Sequence, residues 1–192
     1  MGLQPFHNHT EIIREALNFC LNLEESIFLE EFLLYSKHVS WVLRGFNSGF
    51  LNFIAQDILG NVGKIQRSSE NHRINDFEQL VQFEQRENIS KRDDSAYSGS
   101  IWLSRALLFF VNFFELLLSN RTLSSSKSAQ YVYKDTLKTH HNFFIRKIIS
   151  VGIKTSIPSR KDILSYFKND EDAIFLLVDV GKRVIDKLEL VN

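Results

Sequence analysis

The sequence predicts an all-α domain of two packed layers. Three observations point there. Only two prolines and eight glycines occur in 192 residues, so little interrupts a helix. Apolar residues recur at three- and four-residue spacing along most of the chain, and no strand-period run of convincing length competes with them. Seventeen phenylalanines call for an aromatic interior that can yield to a guest. The length suits a single domain, residues 1–192, with residues 1–9 expected to be flexible.

The elements follow in order. Ile12, Ile13, Ala16, Leu17 and Cys20 keep helical spacing behind a candidate N-cap at Thr10. A second helix is expected over 29–46, with Phe32, Leu33, Val39, Val42 and Leu43 inward, until Gly45 to Gly49 breaks it. A third is expected over 50–67, followed by a polar loop over 68–73. A short helix over 76–87 turns Leu80, Val81 and Phe83 inward, and a charged loop covers 89–95. The longest helix spans 96–119. Serines over 123–128 read as a linker, and a sixth helix is expected over 129–151. Pro158 and Ser159 start the next, and Asp170 or Asp172 starts the last, which ends near Leu190.

The segment 101–118 imitates a membrane span, but Arg105, Asn112 and Glu115 interrupt it. Ser98, Arg105, Asn112 and Ser119 recur every seven residues and draw one polar stripe on an apolar helix. That pattern describes the central helix of a water-soluble protein.

Composition excludes several classes of function. Lys plus Arg and Asp plus Glu are 23 each, so no net charge supports a nucleic-acid partner or a polybasic membrane anchor. One cysteine, Cys20, precludes an intrachain disulfide and fits a reducing, cytoplasmic setting; a core position suits it better than a reactive one. The polar opening Met1–His9 lacks an apolar signal-peptide core. His7-Asn8-His9 has no third ligand near it, so no metal is expected, and no nucleophile triad or phosphate loop announces an enzyme or a cofactor.

One stretch carries chemistry: Asp57-Ile58-Leu59-Gly60-Asn61-Val62-Gly63-Lys64. On a helix Asp57, Asn61 and Lys64 lie at i, i+4 and i+7, in one column on one face. An ionised Asp only accepts hydrogen bonds, Lys only donates, and Asn does both. Such a column suits a ligand rich in hydroxyls. Taken singly, Asp57 and Lys64 are also ordinary solvated charges, Trp102 an ordinary core residue and His141 an ordinary structural histidine.

Taken together and in order, the column, Trp102-Leu103-Ser104-Arg105-Ala106-Leu107, Tyr133 and the segment 137–147 with His141 resemble the glycolipid transfer protein family. Leu80-Val81-Gln82-Phe83-Glu84 also falls where that family has a short apolar–acidic helix. The resemblance runs from about Phe28 to the end of the chain. It implies a two-layer sandwich of about eight helices enclosing an apolar lipid tunnel, and non-vesicular transfer of glycosphingolipids without chemistry. Residue by residue, it implies that Asp57, Asn61 and Lys64 hold sugar hydroxyls and that Trp102 stacks on the sugar. Asp57 and His141 would fix the ceramide amide, with Tyr133 in support; His140 is the less well aligned neighbour. The implied partners are a glycosylceramide-like ligand and, transiently, a membrane surface.

The ceramide-1-phosphate branch of this superfamily carries arginine in place of the tryptophan and a second arginine four residues earlier. This chain has Trp102 and Ser98 there, which favours a sugar over a phosphate. The glycolipid branch has a membrane-docking tryptophan just after the site histidine. Here Phe143 and Phe144 stand in that region, as a docking pair or as core. Two alternatives to a glycolipid carrier remain: a sensor that binds without delivering, and a ceramide-1-phosphate carrier.

Overall fold

Ser48, Asp76, Ser95, Ser124, Asn142 and Ser159 each start a helix, their side-chain oxygens accepting the backbone N–H three residues on. The computed structural model describes residues 29–189, so the expected helix around Ile12 to Cys20 lies outside the described residues. The described elements are helices α1 (Leu29–Gly45), α2 (Gly49–His72), α3 (Phe77–Arg86), α4 (Ala96–Ser119), α5 (Ser125–Thr136), a 3-10 turn (Lys138–His140), α6 (Phe143–Ser156), α7 (Arg160–Tyr166) and α8 (Glu171–Glu189). The architecture is all-α in two helical layers, with no β-strand among the described residues.

Helix α4 is the centre. It packs against α1, α2, α3, α5 and α8, while α2 also meets α1 and α6. By length and composition α4 is apolar enough to cross a membrane, but Leu103, Leu107, Phe109, Phe110, Phe113, Phe114 and Leu117 are fully buried inside the protein. The phenylalanine excess becomes an aromatic spine. Phe109 and Phe113 lie parallel at 6.0 Å, Phe113 meets Phe114 edge-on at 5.2 Å, and Phe50 meets Phe109 edge-on at 5.6 Å. Gly181 lets α8 reach this spine, because a Cβ there would strike Val111 and Tyr35.

One boundary and one side chain near the end of α2 differ from the sequence expectation. The helix runs on to His72, through the expected loop at 68–73. Ser68 and Ser69 are buried: Ser68 Oγ donates to Glu84 Oε1 at 2.6 Å and Ser69 Oγ to the Ile74 carbonyl at 2.7 Å. Their hydroxyls therefore support the helix end and do not compete with it. Arg73 then stops α2 in the left-handed conformation, at φ 56°. Phe83 is only half-buried, its ring tilted against His72 at 4.5 Å, and Leu80 and Val81 carry the core contact of α3.

The other two differences flank the histidines. The serine linker is shorter than expected, because Ser124 starts α5 at Ser125. The single helix expected over 129–151 is two helices with a break between them. His141 is extended, with φ −96° and ψ 142°, and Asn142 begins α6 by accepting from Ile145 N at 3.1 Å. A strong N-cap inside an otherwise apolar run breaks the helix there.

Candidate functional site

The column on α2 forms as the spacing requires. Asn61 is buried, and its Nδ2 donates to the Asp57 carbonyl at 2.9 Å and to Asp57 Oδ2 at 3.3 Å. Its amide is thereby oriented, with its oxygen left as an acceptor. Asp57 stays open to solvent, yet protein packed around the carboxyl raises its pKa above the ordinary value. Burial outweighs the opposing pull of Lys64 and of the Asn61 bond. Lys64 donates to Asp93 Oδ1 at 3.2 Å, and Asp93 is almost wholly exposed on the loop before α4. An exposed ion pair of this kind is weak, so a ligand can replace it at little cost.

A close approach of two helices joins this column to the rest of the site. A Cβ added at Gly99 on α4 would lie 3.2 Å from the Asn61 carbonyl oxygen and from Lys64 Cβ. Only glycine lets α4 come so near at this level. Trp102 sits one turn further along α4 and lies parallel to His141, with centroids 6.0 Å apart and planes 8° apart. Tyr133, buried on α5, also stacks on His141, with centroids 5.8 Å and planes 28° apart, and brings its hydroxyl within 3.2 Å of Nδ1. His140 meets Trp102 only edge-on and is exposed. Of the two histidines, His141 is therefore the one set against Trp102 and Tyr133, and the helix break is what turns it inward.

The electrostatics favour a neutral imidazole. Burial lowers the His141 pKa, and the neighbouring His140, Arg146 and Arg105 lower it further. Burial also raises the Tyr133 pKa, so its hydroxyl keeps its proton. When that hydroxyl donates to Nδ1, the neutral ring carries its proton on Nε2.

Three residues inside the quoted motifs make supporting contacts that the motifs do not foretell. Arg146 Nε donates to the His141 carbonyl at 2.7 Å and holds the turn. Arg105 lies over the Trp102 ring at 4.9 Å. Glu84 is buried and accepts from Ala96 N at 2.7 Å, Tyr97 N at 2.9 Å and Ser68 Oγ, fixing the start of α4 against α2 and α3. Phe143 and Phe144 are 63% and 75% exposed, so they are not core. With Ile148 and Val151 they form an apolar stripe on the outer face of α6.

A sequence model of the glycolipid transfer protein family matches residues 27–169. The chain belongs to the glycolipid transfer protein family. It is 27% identical over 152 residues to glycolipid transfer protein 1 of Arabidopsis thaliana, covering 78% of this chain and 74% of that one. Its fold resembles the fungal glycolipid transfer protein HET-C2, with a TM-score of 0.75, 24% identity, and 86% of this chain and 84% of that one covered. It also resembles the mouse ceramide-1-phosphate transfer protein, with a TM-score of 0.80, 18% identity, and 96% and 95% covered. The expected family and fold are thus confirmed, and this is a lipid transfer protein of that fold. The fold is common to both headgroup classes, so headgroup choice rests on side chains.

Proposed function

We propose that this protein carries glycosphingolipids between membranes, reading the sugar and the ceramide amide at the site described. The observation that carries the proposal is the parallel pair of Trp102 and His141, backed by Tyr133, near the Asp57–Asn61–Lys64 column. Trp102 offers a flat face to the C–H bonds of a sugar. Asn61 and Lys64 meet its hydroxyls, Asp57 accepts from the amide N–H, and His141 Nε2–H donates to the amide carbonyl. The lipid chains lie between the helix layers, along the phenylalanine spine.

Three features speak against a phosphate headgroup. Trp102 and Ser98 bring no charge, and the Asp93 carboxylate stands beside Lys64. A phosphate would meet the Asp93 carboxylate beside its only cation in the column. A neutral sugar tolerates that carboxylate and can use it as an acceptor.

The energetics suit a carrier. Each methylene taken from water yields about 0.8 kcal/mol, but here the chains leave a bilayer as apolar as the pocket, so that gain nearly cancels. Headgroup hydrogen bonds, about 0.5–1.5 kcal/mol each, and ring stacking decide the exchange. A nearly balanced exchange is reversible, and no covalent bond is made or broken. Phe143, Phe144, Ile148 and Val151 provide the face that meets the membrane while the lipid moves.

Native mass spectrometry of protein incubated with vesicles holding both glucosylceramide and ceramide-1-phosphate tests the headgroup. Glucosylceramide should be retained, and Trp102→Ala should lose it while melting as wild type. Retention of ceramide-1-phosphate instead would overturn the sugar reading. Retention of glucosylceramide with no transfer to acceptor vesicles would make the protein a sensor.

A further inference from the structure

We propose that the cleft between α5 and α6 is a second binding site, one that takes the phosphate of an anionic phospholipid in the membrane on which the protein docks. The inference rests on the docking face assigned to α6 above.

The cleft encloses about 370 Å³, and the charged side chains that line it are all lysines: Lys127, Lys134, Lys138 and Lys154. Lys127, Lys134 and Lys138 fall at i, i+7 and i+11 along α5 and the turn after it, so they share one face. Lys154 closes the cleft from α6. All four are exposed, and none takes part in an ion pair among the described residues. The whole chain has no net charge, so this excess of positive charge is local and not the overflow of a basic protein. Like charges facing one another across a concave surface focus a positive potential, which an anion relieves. Lysine is a compact point charge that suits phosphate oxygens, and the Tyr131 hydroxyl and Gln130 amide line the same cleft as neutral partners.

The position of the cleft selects a lipid over a free phosphate. Lys147 and Lys154, seven residues apart, share one side of α6 beside the apolar stripe, and Lys147 lies 4.5 Å above the Phe143 ring. When the stripe enters a bilayer, this row of lysines comes to the level of the headgroups, where each contributes to attraction by anionic lipid. The Tyr133 that lines the cleft is also the one that bonds His141. The second site therefore adjoins the first through one side chain.

Partitioning of the full chain onto phosphatidylcholine vesicles, with and without phosphatidic acid, tests the proposal. The triple variant Lys134→Gln, Lys138→Gln, Lys154→Gln should bind the phosphatidic acid vesicles more weakly, by roughly fivefold per lysine and about a hundredfold in all. Its binding to pure phosphatidylcholine should be unchanged, and its melting temperature should match wild type because the three side chains are exposed. A control of equal charge, Lys37→Gln, Lys91→Gln, Lys161→Gln, should lose far less. Equal losses in the two variants would mean diffuse attraction and overturn the site. Unchanged vesicle binding in the triple variant, with free glycerol 3-phosphate bound by wild type, would assign the cleft to a soluble phosphate and overturn the lipid reading. Phe144→Ser separates the two proposals: it should weaken binding to both kinds of vesicle. If it does not, the docking face fails while the lysine result still decides the cleft.

Discussion

Around Trp102 the side chains hold one another. Asn61 is bonded to Asp57, Lys64 to Asp93, His141 to Tyr133 and Arg146, and the rings lie parallel. The outer face of α6 does the opposite. Phe143, Phe144, Ile148 and Val151 are each at least 60% exposed. The first region has the organisation of a site formed before its ligand arrives, and the second that of a surface completed by something outside the protein. Recognition and docking are thus separable, because their residues draw on different contacts: hydrogen bonds and ring contacts in one, exposed apolar area in the other.

Removing the support of the first region should have the largest effect. Glu84→Ala leaves Ala96 N, Tyr97 N and Ser68 Oγ without their buried acceptor, at a cost of about 3–5 kcal/mol. In a chain of this size that lowers the melting temperature by roughly 10 °C. Glycolipid binding by the folded fraction should fall as well, since Glu84 anchors the end of α4 that presents Gly99 and Trp102. An unchanged melting temperature would mean that the region is not pre-built.

The matching change on α6 should reverse the pattern. Phe143→Ser removes an exposed ring, so calorimetry should show stability within about 0.5 kcal/mol of wild type. Partition onto neutral vesicles should drop by about tenfold, from the loss of some 1.5 kcal/mol or more of apolar transfer. A destabilised variant with normal partitioning would erase the distinction between the two regions.

The two regions also differed in how legible they were. The column was plain in the sequence, because Asp57, Asn61 and Lys64 repeat at helical spacing within a single helix. Trp102 and Tyr133 stood out only in combination with it, since their contacts cross between helices. The break at His141 was hidden: Leu137, Phe144 and Ile148, at i, i+7 and i+11, continue a helical pattern that the Asn142 cap interrupts. Asp93 and Glu84 were invisible as partners, because an ion pair across 29 residues and a helix cap supplied from another helix leave no periodic trace. The aromatic spine was legible as a composition but not as contacts. Phe143 and Phe144 were ambiguous because an exposed apolar stripe and a buried one have the same spacing.

The smallest effect, and the one that bears most directly on a pre-built site, concerns the charge on Asp57. Its folded pKa is raised, chiefly by burial, so the folded state holds that proton more tightly than the unfolded chain does. The sign follows: as pH rises from the ordinary carboxylate value through the folded value, stability falls, and above that window the full cost of the buried charge is present. Asp57→Asn removes the cost and should melt slightly above wild type at neutral pH, the gap closing as pH falls through the window. The shift should be small because solvent reaches the group and screens it. Glycolipid binding should respond in the opposite sense. A carboxamide is a poorer acceptor for an amide N–H than a carboxylate, so the more stable variant should bind less, as should wild type once acid protonates Asp57. Melting curves and lipid binding measured on both proteins across that pH range decide the matter. A variant that melts lower at neutral pH would show that the Asp57 carboxylate supports the fold rather than being held charged at a cost to it.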